Sequence, residues 1–171
     1  TMHQAILARA SRNTDILAAA KLRLVRSSSS SLPPQIMDKL ESTFQCPVVE
    51  AYGMTEAAHQ MTSNPLPPAK RKAGTVGIAA GPKVAIMDQS GKILAAGKVG
   101  EIVISGNNVM TGYEKNEPAN AEAFCEGWFR TGDQGIMDYE GYVSITGRLK
   151  EIINRGGEKI SPREIDEVLM D

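Results

Sequence analysis

The sequence has little net charge, few cysteines and no long apolar run, and each of these absences excludes a class of protein. A formal net charge of −1 gives no electrostatic reason to expect nucleic acid or an anionic membrane as a partner. The two cysteines, Cys46 and Cys125, are far apart, form no metal-ligand pattern and suit a reducing compartment. No run is long and apolar enough to span a bilayer, and no signal-peptide pattern opens the chain.

What is present is the composition of an ordinary folded protein. The 171 residues are 42% hydrophobic and 23% charged, which is usual for globular domains. Lys70, Arg71 and Lys72 form one basic cluster between Pro-rich and Gly-containing segments. We interpret that cluster as a solvated loop rather than a targeting signal.

The first part of the chain predicts a parallel strand–helix–strand unit. The predicted elements are a helix over residues 3–10, a strand over 21–26, a helix over 33–44 with Pro in its first turn, and a strand from residue 48. Ligands in such sheets bind at the carboxyl ends of the strands. The serine run 27–31 and residues 52–56 are both expected at those ends. The serine run could equally be a flexible linker, and the strand before it with Leu-Pro-Pro after it favours a fixed turn.

From residue 73 onward, short β-rich runs separated by Gly, Asn and Asp turns predict a small antiparallel, barrel-like subdomain. The runs are residues 84–87, 100–105, 135–137 and 142–146. A further strand is predicted over 151–154, and a capping box at 161–164 predicts a helix whose apolar stripe is Ile165, Val168 and Leu169. The predicted divisions are 1–72 (α/β), 73–147 (antiparallel β) and 148–171 (the start of a small α+β domain).

Three short motifs suit different parts of a bound nucleotide. They are residues 52–56 (YGMTE), 128–133 (WFRTGD) and 147–151 (GRLKE). Thr55 offers a hydroxyl donor for a phosphate oxygen, and Glu56 offers a hard carboxylate for Mg²⁺. Asp133 offers two acceptor oxygens, which match a pair of ribose hydroxyls, and Arg148 adds a planar fork of donors. Singly, these motifs are ordinary turn sequences, so Asp133 could also be a plain turn former.

Together, the motifs resemble those of the adenylate-forming superfamily, which includes acyl-CoA synthetases, luciferases and peptide-synthetase adenylation domains. Residues 23–32, 99–113 and 156–168 resemble further segments of that superfamily, and residues 55–68 are similar to its oxalate–CoA ligase group. The superfamily also has a Gly-rich phosphate loop ending in Lys and a late C-terminal Lys, and neither occurs in this sequence. The chain is therefore expected to be an internal fragment that is inactive by itself.

The resemblance implies a set of site residues. The implied nucleotide-binding residues are Ser29, Ser30, Glu50, Ala51, Tyr52, Gly53, Thr55, Asp133 and Arg148. Thr55 and Glu56 would act at the α-phosphate, with Glu56 as the Mg²⁺ ligand. Lys150 would be the hinge of the C-terminal domain, and Gly156 and Gly157 would line the CoA tunnel. His59 would face the second carboxylate of a short diacid, although a loop histidine bonded to a carbonyl explains it as well.

The implied reaction joins a carboxylic acid to CoA in two steps. The carboxylate attacks the α-phosphorus of ATP to give an acyl-adenylate and pyrophosphate, and the CoA thiol then releases AMP. The implied cofactors are ATP, Mg²⁺ and CoA, in a cytoplasmic protein or a peroxisomal one in a eukaryote. One alternative is an adenylation domain that passes its product to a carrier protein, against which Lys150 and the Gly156-Gly157 pair argue. Another is a non-catalytic β-rich fragment that binds a partner.

Overall fold

A computed structural model of the chain describes residues 2–155, 158–162 and 165. Its helices are α1 (Met2–Ala10), α2 (Thr14–Ala19), α3 (Pro34–Phe44) and α4 (Glu117–Ala123). Its strands are β1 (Val25–Ser27), β2 (Val48–Tyr52), β3 (Thr62–Ser63), β4 (Ile78–Ala79), β5 (Lys83–Met87), β6 (Val99–Ser105), β7 (Phe124–Cys125), β8 (Trp128–Met137), β9 (Val143–Arg148), β10 (Ile153–Arg155) and β11 (Glu158–Ile160). A 3₁₀ turn covers Thr55–Ala57. Among the described helices, none has the length and apolarity needed to cross a membrane.

The predicted strand–helix–strand unit is confirmed. Strands β1 and β2 are parallel, and α3 connects them with Pro34 in its first turn. Met37 and Leu40 of α3 are buried in one cluster with Leu32 and Val48, because the apolar stripe of the helix faces the sheet. The helix ends where Gln45 takes a left-handed conformation (φ 52°), which stops the α-helical path.

One local prediction in this region was wrong, and three elements, α2, β3 and β4, were not predicted. The strand predicted over residues 21–26 covers only Val25–Ser27, where it meets β2, and Leu22 before it is 45% exposed. Helix α2 was not predicted, and its six residues include no buried side chain from which a period could be recognised. Strands β3 and β4, of two residues each, were also missed. They extend the first sheet in the order β1-β2-β3-β4, with β3 antiparallel to β2 and β4 antiparallel to β3.

The antiparallel β subdomain is confirmed as a five-stranded curled sheet. Strands β5, β6 and β8 lie side by side, and β7 and β9 both pair with β8. Its buried side chains include Ile86, Ile102, Ile104, Phe129 and Val143. The prediction of strand only at 135–137 was too short, because β8 has ten residues and contains the Thr-Gly-Asp sequence within it.

The basic cluster is not a solvated loop. Only Lys70 is exposed, while Arg71 forms an ion pair with Glu41 at 2.6 Å. Lys72 contacts the carboxylates of Asp138, at 2.5 Å, and Glu140. Its hydrogen bond to Asp138 lowers the pKa of that carboxyl group below its usual value. Arg71 and Lys72 therefore connect the loop to α3 and to the β8–β9 hairpin.

The last described elements form a hairpin. Strand β10 covers Ile153–Arg155 rather than the predicted 151–154, and it pairs antiparallel with β11. A Cβ atom at Gly147 would lie 2.7 Å from Ser161 Oγ, so β9 and the segment after β11 are in close contact. The capping residues at 163–164 and the stripe positions Val168 and Leu169 lie outside the described residues. The divisions at 72/73 and 147/148 stay predictions.

Candidate functional site

A cavity of about 330 Å³ lies at the carboxyl ends of β1 and β2, and we call it the strand-end cavity. The serine turn after β1 and the residues that end β2 form one wall, and the β8–β9 pair forms another. Its lining includes eight of the nine residues predicted to bind nucleotide: Ser29, Ser30, Glu50, Ala51, Tyr52, Gly53, Asp133 and Arg148. Its volume is within the range of small-molecule sites. The serine run thus lies as a turn against this cavity, and Ser29 has a positive φ of 75°.

Asp133 is the polar centre of the strand-end cavity. The Tyr52 hydroxyl donates a hydrogen bond to Asp133 Oδ2, and Arg148 Nε donates to Oδ1 at 2.7 Å. Burial and the neighbouring Asp133 carboxylate raise the pKa of Tyr52 well above its ordinary value, so the phenol stays protonated as a donor. The hydrogen bond to Asp133 likewise raises the pKa of Arg148. This contact joins motifs that are 81 residues apart in sequence.

Asp133 lies in a bulge of β8 rather than in a turn between strands. Glu101 pairs with Gln134 and Val103 pairs with Arg130, so residues 131–133 together face the single residue Ile102 of β6. Gly132 has a φ of 75°, a conformation that glycine adopts without steric cost. Bulges re-aim side chains next to functional sites. The alternative of a plain turn former is therefore wrong.

A second bulge places Arg148 opposite Asp133. Strand β9 pairs Ile145 with Gly135 but Gly147 with Gln134, so Thr146 is an extra residue in the ladder. A regular continuation from Ile145 would place Gly147, which has no side chain, opposite Asp133. Because of the extra residue, Arg148 occupies that position and its guanidinium reaches the carboxylate.

Gly53 is required by a close approach of the backbone. A Cβ atom at this position would lie 2.3 Å from the carbonyl oxygen of His59 and 2.9 Å from the amide nitrogen of Gln60. The chain folds back here because Ala58 and His59 both have positive φ values, 50° and 57°. Any larger residue at 53 would therefore push the turn that holds Glu56 away from β2.

A second cavity, of about 470 Å³, lies beside the first, and we call it the Glu56 cavity. Glu56 and Tyr113 line it together with Lys150, while Met54 and Arg148 line both cavities. The Tyr113 hydroxyl donates to Glu56 Oε1 at 3.1 Å. No cluster of three or more potential metal-ligating side chains is found in the part of the chain that the structure describes.

Glu56 nevertheless fits a Mg²⁺ site of one common kind. Magnesium in nucleotide enzymes is often held by one or two carboxylates together with substrate phosphates and waters. The Glu56 side chain is partly exposed to a cavity that adjoins the strand-end cavity, and its carboxylate has acceptor positions beyond the one that Tyr113 occupies. The chemistry of the group and its place thus suit a metal bound partly by the nucleotide.

Not every predicted site residue joins these cavities. Thr55 is exposed at the start of the 3₁₀ turn and lines neither cavity. His59 is also exposed and lines neither one, as a loop histidine would. Gly156 and Gly157 lie outside the described residues. The roles predicted for these four residues, like those predicted for the residues that line the cavities, stay predictions.

Three residues that the sequence reasoning passed over support the site. Tyr113 contacts Glu56, while Glu101 accepts hydrogen bonds from Arg130 and from the backbone N–H of Gly132. The sequence contained a signal for Glu101, which is a glutamate within the apolar run of β6. An unpaired carboxylate is rarely buried, so a charged partner could be expected there. The partnership with Arg130 depends on the strand register and has no local signal.

Comparison with known proteins identifies one family and several related enzymes. Residues 1–114 match the family model described as AMP-binding enzyme. The oxalate–CoA ligase of Saccharomyces cerevisiae is 56% identical over 151 residues, which cover 87% of this chain and 28% of that protein. The oxalate–CoA ligase of Arabidopsis thaliana is 49% identical over 171 residues, which cover 99% of this chain and 33% of that protein.

Among solved structures, the O-succinylbenzoate coenzyme A synthetase of Bacillus subtilis, in complex with ATP and a magnesium ion, is similar throughout. Its TM-score is 0.80 at 26% identity, with 99% of this chain and 39% of that chain covered. The chain therefore spans about a third of the length of the relatives that it matches.

Proposed function

We propose that this chain, which belongs to the family of AMP-binding enzymes, is part of an AMP-forming acid–CoA ligase. The observation that carries the proposal is the strand-end cavity, where three separate motifs meet around one buried carboxylate. The two oxalate–CoA ligases at 56% and 49% identity support oxalate, or another small acid, as the carboxylate that is activated.

In the proposed complex, the strand-end cavity holds the adenosine of ATP. The Tyr52 ring lies against the adenine, and small side chains of the serine turn and of Ala51 let the base approach the backbone. Asp133 accepts hydrogen bonds from the ribose hydroxyls. The Asp133 side chain is 11% exposed and already fixed by Tyr52 and Arg148, so little ordering of this group is needed when ribose binds.

The phosphates would then extend toward the Glu56 cavity, which Arg148 and Met54 connect to the first one. Glu56 would hold Mg²⁺, which supplies charge stabilisation to the phosphates when it is bound. The Thr55 hydroxyl would donate to the α-phosphate. These groups act by position and charge, as is usual in phosphoryl and nucleotidyl transfer.

Thioester formation would follow after rotation of the C-terminal domain about Lys150. The CoA sulfur attacks the acyl carbon of the adenylate, the acyl–oxygen bond to AMP breaks, and the thiol proton is released. In the proposed arrangement, Gly156 and Gly157 line the CoA tunnel. His59 contacts the second carboxylate if the acid is a diacid, and we expect the enzyme in the cytoplasm or in a peroxisome.

The test measures both half-reactions in the full-length enzyme. Carboxylate-dependent exchange between ATP and pyrophosphate reports adenylate formation, and CoA thioester release reports the second step. Oxalate, malonate, acetate and a medium-chain fatty acid are compared at equal concentrations. Oxalate is expected to give the highest kcat/KM. Preference for a monocarboxylate would contradict the diacid role of His59, and absence of exchange with every acid would contradict the ligase itself.

A further inference from the structure

We propose that Glu101 is a positioning residue for ribose recognition, because it fixes the β8 bulge from which Asp133 points. The inference rests on the proposed function of Asp133. Glu101 belongs to β6 and is among the residues that line the Glu56 cavity. The proposal concerns its action on the ribose site through Arg130 and Gly132.

The contacts of Glu101 are those of a fully engaged buried carboxylate. Its side chain is 6% exposed, and Oε2 accepts a hydrogen bond from Arg130 Nε at 2.8 Å and forms an ion pair with Arg130 Nη2 at 2.6 Å. Oε1 accepts the backbone N–H of Gly132 at 3.0 Å. A buried carboxylate is costly unless it is paired and hydrogen-bonded, and here both oxygens are used.

These contacts fall at one point of the sheet. The bulge interrupts the ladder between β6 and β8 at residues 131–133, where backbone groups need partners other than the opposite strand. Glu101 accepts the N–H of Gly132, and the Thr131 hydroxyl bridges Ile102 O at 2.7 Å and the N–H of Asp133 at 3.1 Å. The side chains of Glu101 and Thr131 therefore fix the shape of the bulge.

The geometry assigns Glu101 to the site as well as to the sheet. Arg130 immediately precedes the bulge, and Gly132 is the residue next to Asp133, so Glu101 holds the bulge on both sides of Thr131. A recognition site needs its polar groups held within about 0.5 Å of the productive position. Loss of the Glu101 charge would let Gly132 and Asp133 move together, because no side chain is present at 132 to pack.

The experiment compares ribose discrimination in the full-length enzyme. Calorimetry measures the affinity of AMP and of 2′,3′-dideoxy-AMP for the wild type and for Glu101→Gln. The wild type should prefer AMP by about 10- to 100-fold, the range of hydrogen bonds to a charged group. In Glu101→Gln this preference should fall by about tenfold or more. Glu101 and Arg130 also line the Glu56 cavity, where the phosphate is proposed to lie, so both nucleotides can lose affinity through that shared group. The ratio of the two affinities therefore isolates the contribution of the ribose hydroxyls.

Glu41→Gln is the matched control. Glu41 Oε1 also accepts an arginine, Arg71 Nη1 at 2.6 Å, and a backbone N–H, that of Val48 at 2.8 Å, but Glu41 lines neither cavity. This variant loses the charge that accepts an arginine and a backbone N–H, from a side chain that is 30% exposed and distant from Asp133, so it should keep the wild-type preference. An equal loss of preference in both variants would overturn the proposal.

The possible outcomes distinguish failure of the Glu101 proposal from failure of the proposed ribose role of Asp133. A wild type that does not distinguish AMP from the dideoxy nucleotide overturns the ribose role of Asp133, and the proposal with it. If the wild type prefers AMP and Glu101→Gln shows the same preference, the role of Glu101 alone is overturned. If Glu101→Gln does not fold, Arg130→Lys replaces it. That change keeps a positive charge but loses the planar fork, and an unchanged ribose preference would again overturn the proposal.

Discussion

At the scale of single residues, the site depends on how much of Asp133 remains available to a ligand. Tyr52 and Arg148 each use one acceptor position, one on each oxygen. An ionised carboxylate has about four such positions, so two ribose hydroxyls can be accepted without displacing either partner. The hydrogen bond from the Tyr52 hydroxyl to Asp133 also fixes the Tyr52 ring, which is proposed to lie against the adenine.

The first prediction at this scale concerns Asp133→Ala in the full-length enzyme. It should weaken ATP and AMP binding by about 1–3 kcal/mol, the size of lost charge-assisted hydrogen bonds. Calorimetric titration measures the change, and circular dichroism verifies that the fold is retained. Unchanged nucleotide affinity in a folded variant would show that this carboxylate does not recognise ribose.

The second residue-scale prediction is a dependence of stability on pH. Burial raises the pKa of Tyr52 above the value of about 10 that the phenol has in an unfolded chain. The folded state then holds this proton more tightly than the unfolded state, so its contribution is fully present below pH ~10 and is lost as the pH rises further. Tyr52→Phe should reduce the fall of the thermal-unfolding midpoint above that pH. Tyr139→Phe, at a side chain that is 91% exposed, should not, and identical curves for all three proteins would contradict the assignment.

At the scale of elements, sequence reasoning succeeded where an apolar period was long and failed where pairing decided the structure. Helix α3 and strand β2 have uninterrupted patterns and adjoin the first motif, so their order and the cavity at their ends were predictable. The bulges at Thr131–Asp133 and Thr146 were not, because Thr-Gly-Asp is also an ordinary turn sequence. These bulges place Arg148 opposite Asp133, and the spacing of the motifs in the sequence does not predict that pairing. The ion pairs of Lys72 were likewise unpredictable, since their partners are 66 and 68 residues away.

The element-scale prediction concerns the turn that follows β9. Leu149 N–H donates to Gly132 O at 2.9 Å, and Glu151 N–H donates to Arg148 O at 2.9 Å, so this turn is tied to the Asp133 bulge on one side. If Lys150 is the hinge, Lys150→Pro fixes its φ and restricts Leu149. Pyrophosphate exchange should survive, while thioester formation falls by about tenfold or more. Lys150→Ala is the control for loss of the side chain, which lines the Glu56 cavity, and it should keep the ratio of the two rates at the wild-type value. Equal loss of both rates in the proline variant would argue against a hinge here.

At the scale of the whole molecule, the chain contains the proposed adenosine cavity and the proposed metal carboxylate but spans about a third of the length of its relatives. Catalysis of adenylate formation needs charge stabilisation around all three phosphates, to which this chain is proposed to contribute Arg148, the Thr55 hydroxyl and the Mg²⁺ ligand Glu56. Helices α1 and α2 have no buried residues, and Ile16 is 68% exposed. Apolar side chains that are exposed in this way are suited to contact with a further layer of protein.

The final prediction concerns adenylate formation by this chain without the rest of the enzyme. The 171-residue chain alone should show no carboxylate-dependent ATP–pyrophosphate exchange, whereas the full-length enzyme should show it under the same conditions. The physical reason is the loss of phosphate-binding donors, since one missing preorganised donor commonly costs about 10²–10³-fold in rate. The assay uses radiolabelled pyrophosphate with oxalate as the acid, and an Asp133→Ala full-length enzyme sets the level for weakened nucleotide binding. Exchange by the isolated chain above that level would mean that the groups around Asp133 and Glu56 suffice for adenylation.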